Sequence, residues 1–161
     1  MDHVELPRIG WREWVGLPTL GVEAVKAKID TGARSSSIHA LDVHEARGRV
    51  RFRVAPPRAG APPGPPVELP LFDTRSVRSS SGSKEMRHVV RVEVELSGQR
   101  WPIELTLAER ASMRFRMLLG REAIRGRFLV DPGCSFVDPS RIPEGVRPTR
   151  WSGSHGDGTQ R

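Results

Sequence analysis

The feature that most constrains this chain is a pair of alternating hydrophobic runs near its middle. Apolar side chains occupy every second position from residue 90 to 96, Ser97 and Gly98 follow, and a second alternating run ends at residue 107. A period of two is typical of a half-buried β-strand, and a Ser-Gly pair between two such runs is typical of a tight turn. The pattern predicts an antiparallel meander. With 161 residues, 16 of them Gly and 14 Pro, we expect one all-β domain.

Shorter patterns predict the rest of the sheet. In the first third of the chain we expect a half-buried strand at 9–15, a strand at 22–29 with a bulge or a change of exposed face near Lys26, and strand-turn-strand at 38–54. Further along we expect a hairpin from 71–77 and 86–96 with a polar tip, and a buried run at 117–120. One or two helical turns at 121–125 and a last strand at 128–130 complete the prediction. Residues 55–70 hold seven prolines and predict an exposed, mobile insertion. The domain should cover 1–139, with a polar tail at 140–161 that is disordered from about residue 151.

Charge and composition narrow the class of partner. The 26 Lys and Arg residues exceed the 19 Asp and Glu by seven, which favours an acidic partner such as an acidic peptide, nucleic acid or an anionic surface. Phe115, between Arg114 and Arg116, is the only aromatic residue flanked by arginines in 107–128, so the repeated stacking pattern of a single-strand nucleic-acid binder is missing. We find no membrane span, no signal peptide and one cysteine, Cys134, and expect a cytoplasmic protein without disulfides.

The candidate catalytic residues lie in one loop. The strand at 25–29 leads directly into Asp30, Thr31, Gly32 and Ala33, and a glycine turn at a strand end can present a carboxylate in a fixed direction. Alone, an Asp-Thr-Gly sequence is most often an ordinary loop. Here a Leu-Leu-Gly-Arg segment at 118–121 follows later in the chain, with a short predicted helix after it.

This combination resembles the retropepsin-like aspartic peptidases. Four longer segments are more specific and are similar to a bacterial family filed as ATP-dependent zinc proteases and associated with ATP-grasp glutamate ligases: 9–13 (IGWRE), 26–40 (KAKIDTGARSSSIHA), 112–124 (SMRFRMLLGREAI) and 126–132 (GRFLVDP). The resemblance spans residues 8 to 138 apart from the proline-rich insertion. It implies a closed acid-protease barrel with one short helix, a peptide or protein substrate and a functional link to a glutamate ligase.

The resemblance also implies roles for particular residues. The catalytic loop would be Asp30, Thr31 and Gly32. Leu118, Leu119, Gly120 and Arg121 would support that loop from behind. The substrate would contact Ala33 and Arg34, and also a flap near residues 77–88 with Ser79, Ser80, Ser81 and Gly82 at its tip.

Physical chemistry adds the expectation of a homodimer. An aspartic peptidase needs two carboxylates that share one proton, and this chain has one Asp-Thr-Gly loop. Asp73, Asp131 and Asp138 lack the glycine turn and read as turn formers. Two chains meeting at a two-fold axis would supply the pair.

Two departures from the family pattern matter. Many retropepsins carry an acidic residue where this chain has Arg34, and that acidic residue pairs with the arginine at the position of Arg121. The usual ion pair is therefore in doubt here. We hypothesise that Arg34 and Lys28 instead bind acidic side chains of a substrate. A zinc site has little support in the sequence. His39 and His44 are an odd number of positions apart, so their side chains should lie on opposite faces of a strand. His39 reads as a buried polar residue. No phosphate-binding loop occurs, so we predict no metal and no cofactor in this chain.

Two alternatives remain open. One is a noncatalytic module of the same fold that binds acidic peptides or nucleic acid, and the other is a zinc-dependent peptidase.

Overall fold

The computed structural model describes residues 5–78, 81–109 and 114–146. Their elements, in chain order, are β1 (Arg8–Gly10), β2 (Arg12–Leu17), a 3-10 turn (Pro18–Leu20), β3 (Val22–Asp30), β4 (Ser36–Ala46), β5 (Arg49–Val54), β6 (Val67–Pro70), β7 (Asp73–Arg78), β8 (Lys84–Leu96), β9 (Gln99–Ala108), β10 (Met117–Gly120), α1 (Arg121–Ile124) and β11 (Leu129–Asp131). The predicted disorder from residue 151 lies outside the described residues.

Six of these strands form a closed barrel. Hydrogen-bonded neighbours follow the order β10-β3-β2-β8-β9-β4, and β4 pairs again with β10, so the ring closes. Closure leaves none of the six as a free edge. Leu105, Met117 and Leu119 are fully buried in the apolar interior. The predicted fold, an all-β closed barrel with one short helix, is confirmed.

The predicted meander is β8 and β9. Val90 lies opposite Leu105 and Val94 opposite Trp101, and all four side chains are buried. The N-terminal half of β8 continues beyond this pairing and forms a hairpin with β7, from the pair Asp73 and Val89 outward. The predicted hairpin is therefore confirmed.

The expectation of one half-buried strand at 9–15 is wrong. The chain breaks at Trp11: β1 pairs with β11 in a separate two-stranded sheet, whereas β2 joins the barrel. Residues 13–17 of β2 are all buried. Their outward face is covered because Phe136 stacks on Trp14, with ring centroids 6.4 Å apart.

Strand β3 contains the expected irregularity, but closer to its start. The register with β2 shifts between the pairs Leu17–Val22 and Val15–Val25. From Val25 onward the burial alternates regularly. Lys26, Lys28 and Asp30 consequently share the outer face of this strand.

The proline-rich insertion is more ordered than its composition predicts. The expectation that strand structure stops from 55 to 70 is wrong at the C-terminal end, where β6 pairs antiparallel with β5. Ala55 is buried, and the backbone N–H of Gly64 donates to the carbonyl of Val54 at 2.8 Å. Proline is tolerated here because β6 is an edge strand.

Helix α1 is a single turn, as predicted for the segment after Gly120. Within the described ranges, no helix has the length and apolar character needed to cross a membrane.

Candidate active site

Asp30 ends β3 and begins a tight loop that holds one of its carboxylate oxygens. Asp30 Oδ1 accepts hydrogen bonds from the backbone N–H groups of Gly32 at 3.1 Å and of Ala33 at 3.2 Å. Among the described residues, Oδ2 accepts none. Asp30 is half-buried, while Thr31 and Gly32 are exposed. The loop thus orients the carboxylate and leaves its second oxygen for a water molecule or another carboxyl group.

Strand β10 and the start of α1 hold this loop from behind. Gly120 lies beside Asp30 in the parallel pairing of β3 and β10. The N–H of Arg121 donates to the carbonyl of Ala33 at 2.7 Å, and that of Glu122 donates to the carbonyl of Arg34 at 3.1 Å. These bonds fix the direction in which the chain leaves the Asp-Thr-Gly turn.

Gly120 is required by its surroundings. A Cβ atom at this position would lie 2.5 Å from the carbonyl carbon and oxygen of Ser35. The close approach lets the buried Ser36 hydroxyl accept a hydrogen bond from the Gly120 N–H at 3.0 Å. Leu118 and Leu119, on the same strand, are buried. Of the four residues predicted to support the loop, Gly120 and Arg121 contact residues 30–35, and Leu118 and Leu119 pair with Lys28 and Ile29 just before the loop.

Arg121 contacts the loop without an ion pair. Its Nη1 donates to the carbonyl of Thr31 at 3.1 Å. Within the described part of the chain, no carboxylate lies within salt-bridge distance of Arg121. Arg34 stands where many retropepsins carry an acidic residue, and Arg121 accordingly binds the backbone carbonyl of Thr31 and forms no ion pair with the described residues of its subunit.

The predicted substrate-contacting residues fall in two places. Arg34 lines a cleft of about 590 Å³ beside the loop, together with Ser35 and with Arg75 and Arg91 from the strands of the β7–β8 hairpin. Ser81 and Gly82 lie in the turn at the tip of that hairpin. Ser79 and Ser80 lie outside the described residues.

Sequence reasoning missed the two arginines that the hairpin brings to this cleft. Arg91 alternates with buried valines on β8 and lies opposite Glu104, and Arg75 donates to Glu104 at 2.8 Å. The alternation marked Arg91 as outward-facing. Only the pairing of β7, β8 and β9 shows that it shares a cleft with Arg34.

The residues do not fit a zinc site. His39 is buried, and its Nδ1 accepts a hydrogen bond from Arg116 Nη1 at 3.1 Å, so a permanent cation already sits against that nitrogen. His44 is exposed. His39 and His44 are not related by simple alternation along β4, because a bulge with Asp42 at φ 54° lies between them. Across the described ranges, no group of three or more His, Cys, Asp or Glu side chains could hold a metal.

Glu13 is a buried carboxyl group whose role is structural. It accepts hydrogen bonds from the N–H groups of Gly10, Val137 and Asp138 at 2.9 to 3.0 Å. Burial raises the pKa of Glu13, and the three hydrogen bonds oppose that effect. Glu13 thereby joins β2 to the segment that covers it.

The other aspartates support turns. Asp131 accepts from the N–H of Gly133, and Asp138 accepts from the N–H of Ser140 and of Ser97. The prediction that Asp131 and Asp138 are turn formers is confirmed, but it is wrong for Asp73, which is the first residue of β7 and pairs with Val89.

A closed six-stranded barrel with an Asp-Thr-Gly loop held by a Leu-Leu-Gly-Arg segment defines the retropepsin-like class of proteins. A family model described as RimB-like, retropepsin-like aspartic endopeptidase RimB, matches residues 8–141. The chain belongs to this family.

Curated relatives carry another name and are longer. Proteins from Shewanella pealeana and Desulfotalea psychrophila, both named "Probable alpha-L-glutamate ligase", are 43% identical over 132 residues and 42% identical over 148 residues. The aligned residues cover 80% and 88% of this chain but 29% and 32% of those relatives. The chain thus spans less than a third of the length of the curated relatives it matches.

A solved structure resembles most of this chain. A crystal structure of a Legionella pneumophila protein of unknown function is 28% identical, with a TM-score of 0.66, and the match covers 83% of this chain and 98% of that one.

Proposed function

We propose that this protein is an aspartic endopeptidase that acts as a homodimer, with Asp30 of each subunit forming the catalytic pair. The observation that carries the proposal is the asymmetric environment of the carboxylate: the loop holds Oδ1 through two N–H groups, and Oδ2 accepts no hydrogen bond from the described residues. A rigid carboxylate with one free oxygen suits a group that must share a proton and a water molecule with a second carboxylate.

The reaction follows from the protonation of such a pair. One carboxyl group is ionised and the other keeps the shared proton. The ionised group removes a proton from water, whose oxygen attacks the scissile carbonyl carbon, while the protonated group gives its proton to the carbonyl oxygen. Collapse of the tetrahedral intermediate breaks the C–N bond; the leaving nitrogen takes the proton that the first carboxyl group removed from water, and a hydroxyl of the intermediate returns a proton to the second carboxyl group. Each subunit contributes one carboxyl group, which is why the dimer is part of the proposal.

We further propose acidic or glutamate-modified peptides as the substrates, cleaved in the cytoplasm. Arg34 lies two residues after Gly32 and shares its cleft with Arg91 and with Arg75, which is paired with Asp73 and Glu104; Glu104 and Glu122 also line this cleft. Guanidinium groups bind carboxylates through charge-assisted hydrogen bonds. The relatives named as glutamate ligases fit the same idea, since a ligase that adds glutamate makes an acidic peptide. An ATP-grasp ligase is accordingly the proposed functional partner.

A second candidate is a noncatalytic module that binds acidic peptides with the same surface. The observation in its favour is Arg121, which contacts the Thr31 carbonyl and has no carboxylate partner among the described residues. A module would tolerate loss of the Asp30 carboxylate, and an enzyme would not.

Asp30→Asn separates the two. We expect this variant to lose about 10²- to 10⁴-fold in the rate of peptide cleavage, measured by mass spectrometry on a glutamate-rich peptide mixture, because it removes the acid–base pair. Asp42→Asn is the matched control: it removes an aspartate elsewhere, at a backbone conformation that asparagine tolerates. Cleavage by Asp30→Asn at the rate of the unmodified protein would rule out the proposed enzyme.

A further inference from the structure

Arginine occupies every second position where the chain passes from β4 into β5. Arg47 lies in the connecting turn, and three more follow on β5: Arg49, Arg51 and Arg53. Side chains at alternate positions of a strand share one face. The residues between these arginines belong to the hydrophobic core: Val50, Phe52 and Val54. The three arginines of β5, which we call the arginine row, therefore face away from the core.

The arginine row lies far from the Asp30 loop. At the start of β4, the Ser36 hydroxyl accepts a hydrogen bond from Gly120 behind that loop. At the other end of β4, Ala46 pairs with Arg49. At about 3.3 Å per residue, these two points are about 30 Å apart along the strand. The row thus belongs to a surface separate from the candidate active site.

Pairing on both sides fixes the backbone of the row. Strand β5 is paired with β4 on one side and with β6 on the other. Its alternate positions are about 6.6 Å apart, so the three side chains leave the sheet in an evenly spaced line. Arg53 is held further, because its Nε donates to the carbonyl of Gly64 at 3.1 Å. The sheet presents regularly repeated positive charge, which suits a ligand with regularly repeated negative charge.

Little negative charge offsets the row. Arg49 Nε lies 3.7 Å from a carboxylate oxygen of Glu68, and these side chains are 50% and 58% exposed. Ion pairs with this exposure contribute little to stability, so an incoming anion can replace Glu68 at small cost. In the parts of the chain that the structure describes, no carboxylate lies within salt-bridge distance of Arg51 or Arg53.

The neighbours of the row favour nucleic acid over a protein partner. The positions opposite Arg49 and Arg51 on the paired strands carry no large apolar side chain: His44, Ala46, Glu68 and Pro70. The buried core of a protein–protein interface is apolar and poor in charged residues. Interfaces with nucleic acid are more polar and much more positively charged. The composition of this face matches the second kind.

The aromatic content of β5 favours a double helix over a single strand. Proteins bind single strands without sequence preference by stacking bases on aromatic rings. Phe52 is the aromatic residue of β5, and it is 1% exposed and packed in the core. The row therefore offers guanidinium groups, which make charge-assisted hydrogen bonds to phosphate, without a ring on which a base can stack.

We propose that the arginine row binds the phosphate backbone of a double-stranded nucleic acid. Duplex DNA and duplex RNA share this chemistry, a regular series of phosphodiesters. The proposal goes beyond the proposed peptidase function and does not depend on it, because the row and Asp30 lie on separate surfaces. The protein can accordingly hold a duplex and a peptide at the same time.

The test measures duplex binding by the full-length protein. Fluorescein-labelled DNA and RNA duplexes of the same sequence, about 20 base pairs or two helical turns long, would be titrated and read by anisotropy. The row variant is Arg49→Gln with Arg51→Gln. The matched control is Arg8→Gln with Arg125→Gln, which removes two exposed arginines that also form surface ion pairs.

We expect about tenfold weaker duplex binding for the row variant and less than about twofold for the control. The slope of log affinity against log salt concentration should become shallower by about two in the row variant, because each lost phosphate contact removes about one. Arg49→Lys with Arg51→Lys keeps both charges and should stay within about threefold of the unmodified protein. A loss as large as that of the glutamine variant would mean that the sheet is disturbed, and would contradict the proposal.

Three other results would overturn the proposal. The first is equal duplex affinity of the row variant and the control variant. The second is an oligoglutamate peptide that loses as much affinity in the row variant as the duplexes do, which would make an acidic chain the occupant. The third is tighter binding of single-stranded oligouridine than of either duplex. Tighter binding of one duplex than of the other supports the proposal and identifies the helix.

Asp30→Asn separates this proposal from the proposed function. We expect the Asp30→Asn protein to bind duplex as tightly as the unmodified protein, and the row variant to cleave a short peptide at the unmodified rate. Duplex binding without peptide cleavage by the unmodified protein contradicts the peptidase but not the arginine row. Cleavage without row-dependent duplex binding contradicts the arginine row but not the peptidase.

Discussion

Replacing Gly120 by alanine tests whether close packing behind the Asp30 loop is needed for both stability and activity. The new Cβ would stand 2.5 Å from backbone atoms of Ser35, which cannot rotate away as a side chain would. Overpacking of this kind costs about 1–3 kcal/mol. For a domain of this size each kcal/mol lowers Tm by about 2–4 °C, so we expect a drop of about 4–8 °C for a cost near 2 kcal/mol.

We expect Gly120→Ala to lose more peptide-cleaving activity than its loss of stability alone would explain. The loop must move away from β10 to admit the methyl group, and that movement shifts the Asp30 carboxylate. Gly98→Ala is the control: Gly98 has φ 73° with no atom near its added Cβ, so it loses about 1–2 kcal/mol far from the loop. We expect calorimetry to show comparable losses of stability and peptide cleavage to fall only in Gly120→Ala. Full cleavage and unchanged Tm in Gly120→Ala would refute the account of this packing.

Two further predictions concern single buried groups. Ser36→Ala should lower the free energy of unfolding by about 1–3 kcal/mol, because the N–H of Gly120 loses its buried acceptor. Ser36→Thr keeps the hydroxyl and should lose less stability. Equal losses for the two variants in urea titrations would argue against this hydrogen bond. Glu13 should make stability fall as pH rises. Its folded-state pKa is raised, so its contribution is complete below the ordinary pKa of a glutamate and is lost as pH rises through the folded-state value. Glu13→Gln should remove this part of the pH dependence, and an unchanged profile would contradict it.

Local patterns predicted the strands and the loop because their signals lie in short segments. The alternation of Val90 to Leu96 depends only on neighbouring residues. The turn at Asp30 is predicted by its own tetrapeptide, although its interpretation as a catalytic loop needed the segment at 118–121. The prediction that a later strand supports this loop came from a second short segment, at 118–121. Each of these features needed no knowledge of distant contacts.

The missed features depend on residues far apart in the chain. Burial of the outer face of β2 comes from Phe136, which is 122 positions after Trp14, and alternation within β2 does not report it. The bulge in β4 depends on a left-handed conformation at Asp42, which hydrophobic periodicity does not encode. The position of Arg12 beside Lys28 likewise depends on the register between β2 and β3.

The distance between the two Asp30 carboxylates in a crystal structure of the dimer tests the central claim most directly. We predict a two-fold axis between the Asp-Thr-Gly loops, with the closest carboxylate oxygens about 3 Å apart and one water molecule bound to both groups. Asp30 carboxylates separated by the width of a subunit, or a protein that stays monomeric with acidic peptide bound, would contradict the paired-aspartate mechanism.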